Sequence, residues 1–199
     1  MNIASNSVKL GYKLINEFVW PNSSVLDLGC GNGELLALLI REKRVKAQGI
    51  EIDEKAIFDC VAKGLSVFHG DIDSGLAEYG DKSFHFVIVN ESLQQVRKPD
   101  IVLGEALRVG HKVIVGFPNF AYYPARWQMA IKGKAPVTSS LPYQWYDTPN
   151  LHFLSIFDFI DYCRKKRIKI EKKVFITGHH RVKILPNLLA ETGIFLISR

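Results

Sequence analysis

The stretch VLDLGCGNGELL, residues 25–36, follows an apolar start with three glycines in five positions, Gly29, Gly31 and Gly33. Glycine at that density lets the backbone adopt left-handed turns and come close to a ligand. Polar residues then recur where later apolar runs stop: Glu51, 24 residues after Asp27, Asp71 within HGDID, and the pair Asn90-Glu91. Singly, each is explained by a helix cap, a turn or a loop anchor. Jointly they describe an acid-lined crevice beside a backbone cleared of side chains.

The spacing narrows the ligand. Dinucleotide loops read G-x-G-x-x-G/A, whereas here the pattern is G-x-G-x-G with Glu34 in the sixth position. No G-K-S or G-K-T follows, which excludes a Walker loop. Glu34 beside a helix start disfavours a pyrophosphate. A ligand with a ribose, an adenine and a positive centre, without phosphate, suits these residues. Glu51 would accept from ribose hydroxyls and Asp71 from the adenine amine, with Ile52 and Ile72 next to them. The expected cofactor is S-adenosylmethionine, held by Asp27, Gly29, Cys30, Gly31, Gly33, Glu51, Ile52, Asp71, Ile72 and Asn90. The glycines are expected to make room for its methionine moiety, the loop amides meeting the carboxylate. Methyl transfer is an in-line displacement that positioning alone accelerates, so no catalytic side chain is singled out. Asn119, Tyr146, Asp147 and His152 are the substrate-pocket candidates. His69, His85 and His111 fall in or beside strands and read as structural.

Strands and helices must alternate to position these groups. Short apolar strands are expected at 25–28, 47–52, 65–69, 84–89 and 112–117, with two closing strands at 168–176 and 193–198. Asp53 caps a helix that Gly64 stops, Asp100 caps IVLGEALRV, and Ser155 with Asp158 forms a capping box before FDFIDYCRKK. Near-continuous apolar strands alternating with helices give a doubly wound, mostly parallel sheet. The closing strands form an antiparallel hairpin at its edge, for seven strands in all. One domain is expected over residues 1–199. Residues 118–154 hold five prolines and many aromatics, and are expected to act as a lid over the strand ends. Trp127, Trp145 and Tyr146 would either roof the pocket or join Arg126, Lys132 and Lys134 in a docking surface.

Composition sets the setting. The 199 residues are 47% hydrophobic and 23% charged, the balance of a globular protein. Nothing approaches the roughly 20 apolar residues of a membrane span, and Lys9 and Lys13 interrupt any signal-peptide core. Three scattered cysteines suggest a reducing compartment, with neither disulfides nor a zinc site, so the cytoplasm is expected. The net charge of +6 collects in RKKRIKIEKK, residues 164–173. That run reads as a helix end and a strand with Ile168 and Ile170 inward. It lacks the interleaved aromatics of a nucleic-acid surface.

VLDLGCGNG, GIEID and GDID resemble the motifs of class I methyltransferases across residues 25–117. With NESLQQVRKPDIVLGEALRVGHKVIVGFPNF, LPYQWYDTPNLHFLSIFDFIDYC and LPNLLAETGIFLISR, nearly the whole chain resembles the MetW family of bacterial methionine biosynthesis; YDTPN is the most specific part. The resemblance implies a role beside the homoserine O-acyltransferase step, in a fold whose methyl acceptor is unknown. Two alternatives stay open: a small-molecule methyltransferase, or a regulatory partner of the acyltransferase that binds S-adenosylmethionine.

Overall fold

The structure, a computed structural model, describes residues 3–199, with side chains from residue 8 onward. The chain opens with helix α1 (Ile3–Phe18), which sequence reading passed over; it buries Leu14, Ile15 and Phe18. Then strand and helix alternate: β1 (Ser24–Leu28), α2 (Glu34–Lys43), β2 (Lys46–Glu51), α3 (Glu54–Ala62) and β3 (Val67–His69). Next come β4 (Phe84–Asn90), α4 (Pro99–Val109) and β5 (Gly110–Pro118). The chain closes with α5 (Tyr123–Lys132), α6 (Ile156–Lys165), β6 (Lys169–Thr177), β7 (His180–Arg181), α7 (Pro186–Leu189) and β8 (Thr192–Ser198).

The sheet runs β3-β2-β1-β4-β5-β8-β6-β7. Strands β1 to β5 are parallel, and β8, β6 and β7 pair antiparallel. This is the doubly wound sheet with an antiparallel edge that the apolar pattern implies, with eight strands rather than seven. The additional strand arises because Gly178, at φ +52, turns the chain tightly enough for Arg181 to pair with Ile176. The closing strands are therefore joined through β7 and α7 instead of one loop.

Local rules account for most element ends. Asp53 accepts from the Ala56 amide, Gly64 takes φ +71 just beyond α3, and Ser155 with Asp158 completes a capping box on α6. Helix α4 starts earlier than expected: Pro99 occupies its first turn, and Asp100 lies inside it. Proline suits that position because the missing N–H has no partner there anyway. The basic run follows the expected alternation only to Ile170, after which a bulge shifts the register; Phe175 and Ile176 are then buried in the cores on opposite faces of the sheet.

Both sheet faces are covered. One face packs α1 and α2 through Leu14, Ile15 and Leu39 onto Phe86, Ile88 and Ile194. The other packs α4 and α6 onto Val87, Val89 and Phe195. Phe195 sits among three aromatic rings, with centroids 4.8 Å from Phe159 and 5.7 Å from both Phe117 and Phe175. Phe195→Ala should lower the unfolding free energy by about 3–5 kcal/mol, the range for a large buried aromatic. Urea unfolding checks this: the midpoint should fall while the slope stays constant.

Candidate functional site

In an open parallel sheet a ligand lies beyond the carboxyl ends of the strands, where the order reverses. Here that point lies between β1 and β4, whose neighbours run outward in opposite directions. A crevice of about 560 Å³ opens there. It is lined by the glycine loop, the ends of β2, β3 and β4, Tyr12 of α1, and Pro149 and Leu151.

The glycine loop is built by backbone bonds. The amides of Gly29 and Cys30 both donate to the Ile50 carbonyl, at 2.9 and 3.1 Å. Gly29, Gly31 and Gly33 all have positive φ, which glycine adopts without strain. Yet they serve different ends. A methyl group on Gly33 would meet Leu65 at 2.3 Å, and one on Gly29 would meet Ser92 at 2.9 Å. On Gly31 it would meet nothing within 4 Å. The expectation that all three make room for a ligand is therefore corrected. Two allow the loop to pack against α3 and the β4 exit, and Gly31 alone faces open space.

Glu51 ends β2 at the centre of the loop. Its carboxylate accepts from the amides of Gly31 at 2.8 Å, Ile52 at 2.8 Å and Asp53 at 2.9 Å. Asp71 accepts from the Asp73 amide, and the Asp73 carboxylate accepts from those of Arg97 and Lys98. Ile52, largely exposed, and Ile72 line the same opening. Asn90 projects where Gly116 of β5 lacks a side chain; a methyl group there would strike its amide oxygen. Asp27 lies beneath, 3% exposed. Burial, with the Glu51 carboxylate adding to it, pushes its carboxyl up to about 7. Burial and the nearby Glu91, Asp27 and Glu34 carboxylates push the Tyr12 phenol well above its ordinary range.

Eight of the ten expected cofactor residues line the crevice: Gly29, Cys30, Gly31, Glu51, Ile52, Asp71, Ile72 and Asn90. Asp27 and Gly33 stand behind this lining. Sequence reading missed Tyr12, whose signal was the apolar spacing of Leu10, Leu14, Ile15 and Phe18 in an unassigned helix. It also missed Asp73, Ser92, Gln95 and Arg97, which sit on turns rather than strand ends.

None of the substrate-pocket candidates lines the crevice. Asn119 is fully buried as a structural anchor. Its Nδ2 donates to the carbonyls of Asn187 and Ala190, and its Oδ1 accepts from the amides of Ala121 and Ile156. Tyr146 and Asp147 are exposed, with the Tyr146 ring beside Trp145. His152 lines a separate apolar groove with Leu93, Phe153 and Phe159. The expected lid contains the ten-residue α5, and the rest is pinned down, with Leu151 and His152 amides on the Gln94 carbonyl. Trp127, Trp145 and Tyr146 are largely exposed, and none of them lines the crevice.

The comparisons agree with this geometry. The family model described as methionine biosynthesis protein MetW matches residues 9–197. A protein of Rhodopirellula baltica, described as bifunctional methionine biosynthesis protein MetXA/MetW, is 33% identical over 198 residues. The match covers 93% of this chain and 32% of that protein, so this chain spans about a third of its relative's length. An S-adenosylmethionine-dependent methyltransferase from Archaeoglobus fulgidus superposes with a TM-score of 0.70 at 15% identity, covering 96% of this chain and 94% of that one. The [4+2]-cyclase SpnF superposes at 0.69 and 15%, covering 94% and 80%. Such distant likeness establishes the methyltransferase-type fold alone.

The buried acid yields a prediction with a definite sign. Between its ordinary value of 3.8 and about 7, Asp27 stays protonated when folded but ionises when unfolded, so its contribution to stability declines as pH rises. Asp27→Asn removes that decline. Relative to the native chain, the variant should gain about 2 kcal/mol of unfolding free energy between pH 5 and pH 8. Parallel urea titrations at the two pH values measure it.

Proposed function

Because this chain belongs to the MetW family of methionine biosynthesis proteins, we propose that its crevice binds S-adenosylmethionine and that it acts as a methyltransferase-type protein in that pathway. The observation that carries the reading is the pairing of Gly31, open to the crevice, with a Glu51 carboxylate fixed by three backbone amides. With three of its roughly four acceptor positions taken by amides, Glu51 keeps one on Oε2 for a ribose hydroxyl, and Asp71 has an oxygen for the adenine amine. Ile52 and Ile72 supply apolar surface for the base. The volume is within the usual range for a cofactor pocket. Among the described residues lining it, the acids Glu51, Asp71, Asp73 and Glu91 outnumber the single basic residue Arg97. That field favours a sulfonium and an ammonium over a phosphate. When bound, the sulfonium supplies an electrophilic methyl group.

A second reading is a regulatory one, in which the protein assists the homoserine O-acyltransferase step and the bound cofactor reports methionine status. The relative that joins MetXA and MetW in one chain favours such a partner. Both readings share the cofactor, the methionine pathway and an expected cytoplasmic setting. They differ in whether a methyl group moves.

Thermal unfolding tests the shared part. S-adenosylmethionine and S-adenosylhomocysteine should each raise the melting temperature by mass action, while NADH and ATP leave it unchanged. Glu51→Ala should weaken S-adenosylhomocysteine by about 1–3 kcal/mol in calorimetry, the loss expected for a charged acceptor. Unchanged affinity in that variant would make Glu51 only a loop fastener.

A further inference from the structure

A second cavity, of about 220 Å³, adjoins the crevice and shares Glu91 and Gln95 with it. Its walls come from Val8 of α1, the loop after β4, the end of β5, the segment from Ser139 to Tyr143 with Asn150, and the start of β8. It is too small for a nucleotide and of a size for a small metabolite.

Its chemistry is one-sided. Two carboxylates line it, Glu91 and Glu191, and among the described lining residues there is no lysine, arginine or histidine. Glu191 is 6% exposed and oriented, its oxygens accepting from the Ser139 hydroxyl at 2.7 Å and the Gly178 amide at 3.1 Å. Glu91 stands at the boundary of the two cavities. Its surface is open to them, but protein rings it closely enough to push its carboxyl above the ordinary range.

Gln94 supplies a separate observation. The side chain is 3% exposed and lines this cavity. Its Nε2 donates to the Glu91 carbonyl at 2.7 Å, which fixes the amide orientation. That leaves Oε1 buried with no hydrogen-bond partner among the described residues. A buried acceptor without a donor is unfavourable, so a ligand bringing N–H groups would be rewarded here. An anion would be repelled by both carboxylates, and a neutral diol would bring no positive charge to the Glu91 carboxylate.

We propose that this cavity binds a small molecule carrying a protonated amine, held between the Glu91 carboxylate and Gln94 Oε1 with Glu191 completing the negative wall. Its position makes it the acceptor side of the crevice. That role rests on the cofactor reading above, whereas the binding itself does not.

The test is a backbone-amide NMR titration of the full chain at pH 7 with ethanolamine. Ethylene glycol and glycolate serve as its neutral and anionic isosteres. Ethanolamine should shift the amides of Ser139, Ser140 and Thr192 with millimolar affinity, and each isostere should bind at least about tenfold more weakly. Glu91→Gln and Gln94→Leu should each weaken ethanolamine by roughly five- to tenfold, with the remaining spectrum reporting an intact fold. A separate titration with S-adenosylhomocysteine reads the crevice through Gly31 and Ile72. Ethanolamine shifts without S-adenosylhomocysteine shifts would sink the cofactor reading and leave this site standing. The proposal is overturned by the converse, by equal response to glycolate or ethylene glycol, or by unchanged ethanolamine binding in a folded Glu91→Gln.

Discussion

Three backbone N–H groups converge on the single carboxylate of Glu51. That convergence ties together three parts of the chain: the glycine loop after β1, the end of β2 and the entry to α3. An ionised carboxylate accepting several backbone bonds is held more firmly than a neutral acceptor would be. The loop needs such a fastener. Its residues lie outside the regular ladder, and a side chain added at Gly31 would meet nothing within 4 Å. Gly29 and Gly33 close the loop from the other side by bringing it against Ser92, Leu65 and Cys60. One wall of the crevice is thus rigid by packing and the other by charge.

The same arrangement concentrates negative charge in one place. Parallel strands deliver their last side chains to one edge, so Asp27, Glu51, Asp71 and Asn90 arrive together because of topology. The consequence is visible at Asp27, which burial and the Glu51 carboxylate make reluctant to ionise. Its contribution to stability therefore declines from acidic to neutral pH. A site that disfavours its own ionisation becomes favourable to a cation, since the ligand's charge offsets what the fold lacks. The neighbouring cavity extends this logic, with Glu91 common to both.

Much of this was legible in the sequence, for a physical reason. Strand ends, caps and positive-φ glycines are local: Asp53, Gly64 and Ser155 act within a few residues of themselves, and the alternation of apolar runs dictates the sheet. What escaped reading depends on distant partners. Gly33 looks ligand-facing until Leu65 is found against it. Asn119 looks like a pocket residue until the ends of α6 and α7 are seen gathered on its amide. Tyr12 belongs to a helix with no motif, and it reaches the crevice only because α1 packs across β8 and β6. The additional strand, β7, is two residues long, below what periodicity resolves.

The segment after β5 separates the two readings of function most sharply. If its aromatics covered the crevice, exclusion of water from a transferring methyl group would be the natural account. They do not. Trp127 is 59% exposed, Trp145 76% and Tyr146 70%, while only Pro149 and Leu151 from this segment reach the crevice. The segment is nevertheless ordered, by the Gln128 amide bonded to both backbone groups of Val137 and by Ser139 on Glu191. An ordered surface bearing exposed aromatics suits contact with another protein better than closure over a ligand. The fold itself is neutral between the two, since a cyclase shares it with methyltransferases. The cavity beside Glu91 therefore carries the weight of the catalytic reading, and the outward-facing aromatics carry that of the regulatory one. Because Tyr143 and Asn150 line that cavity on either side of Trp145 in the chain, a ligand at Ser139 and a partner at Trp145 would act on the same stretch of backbone.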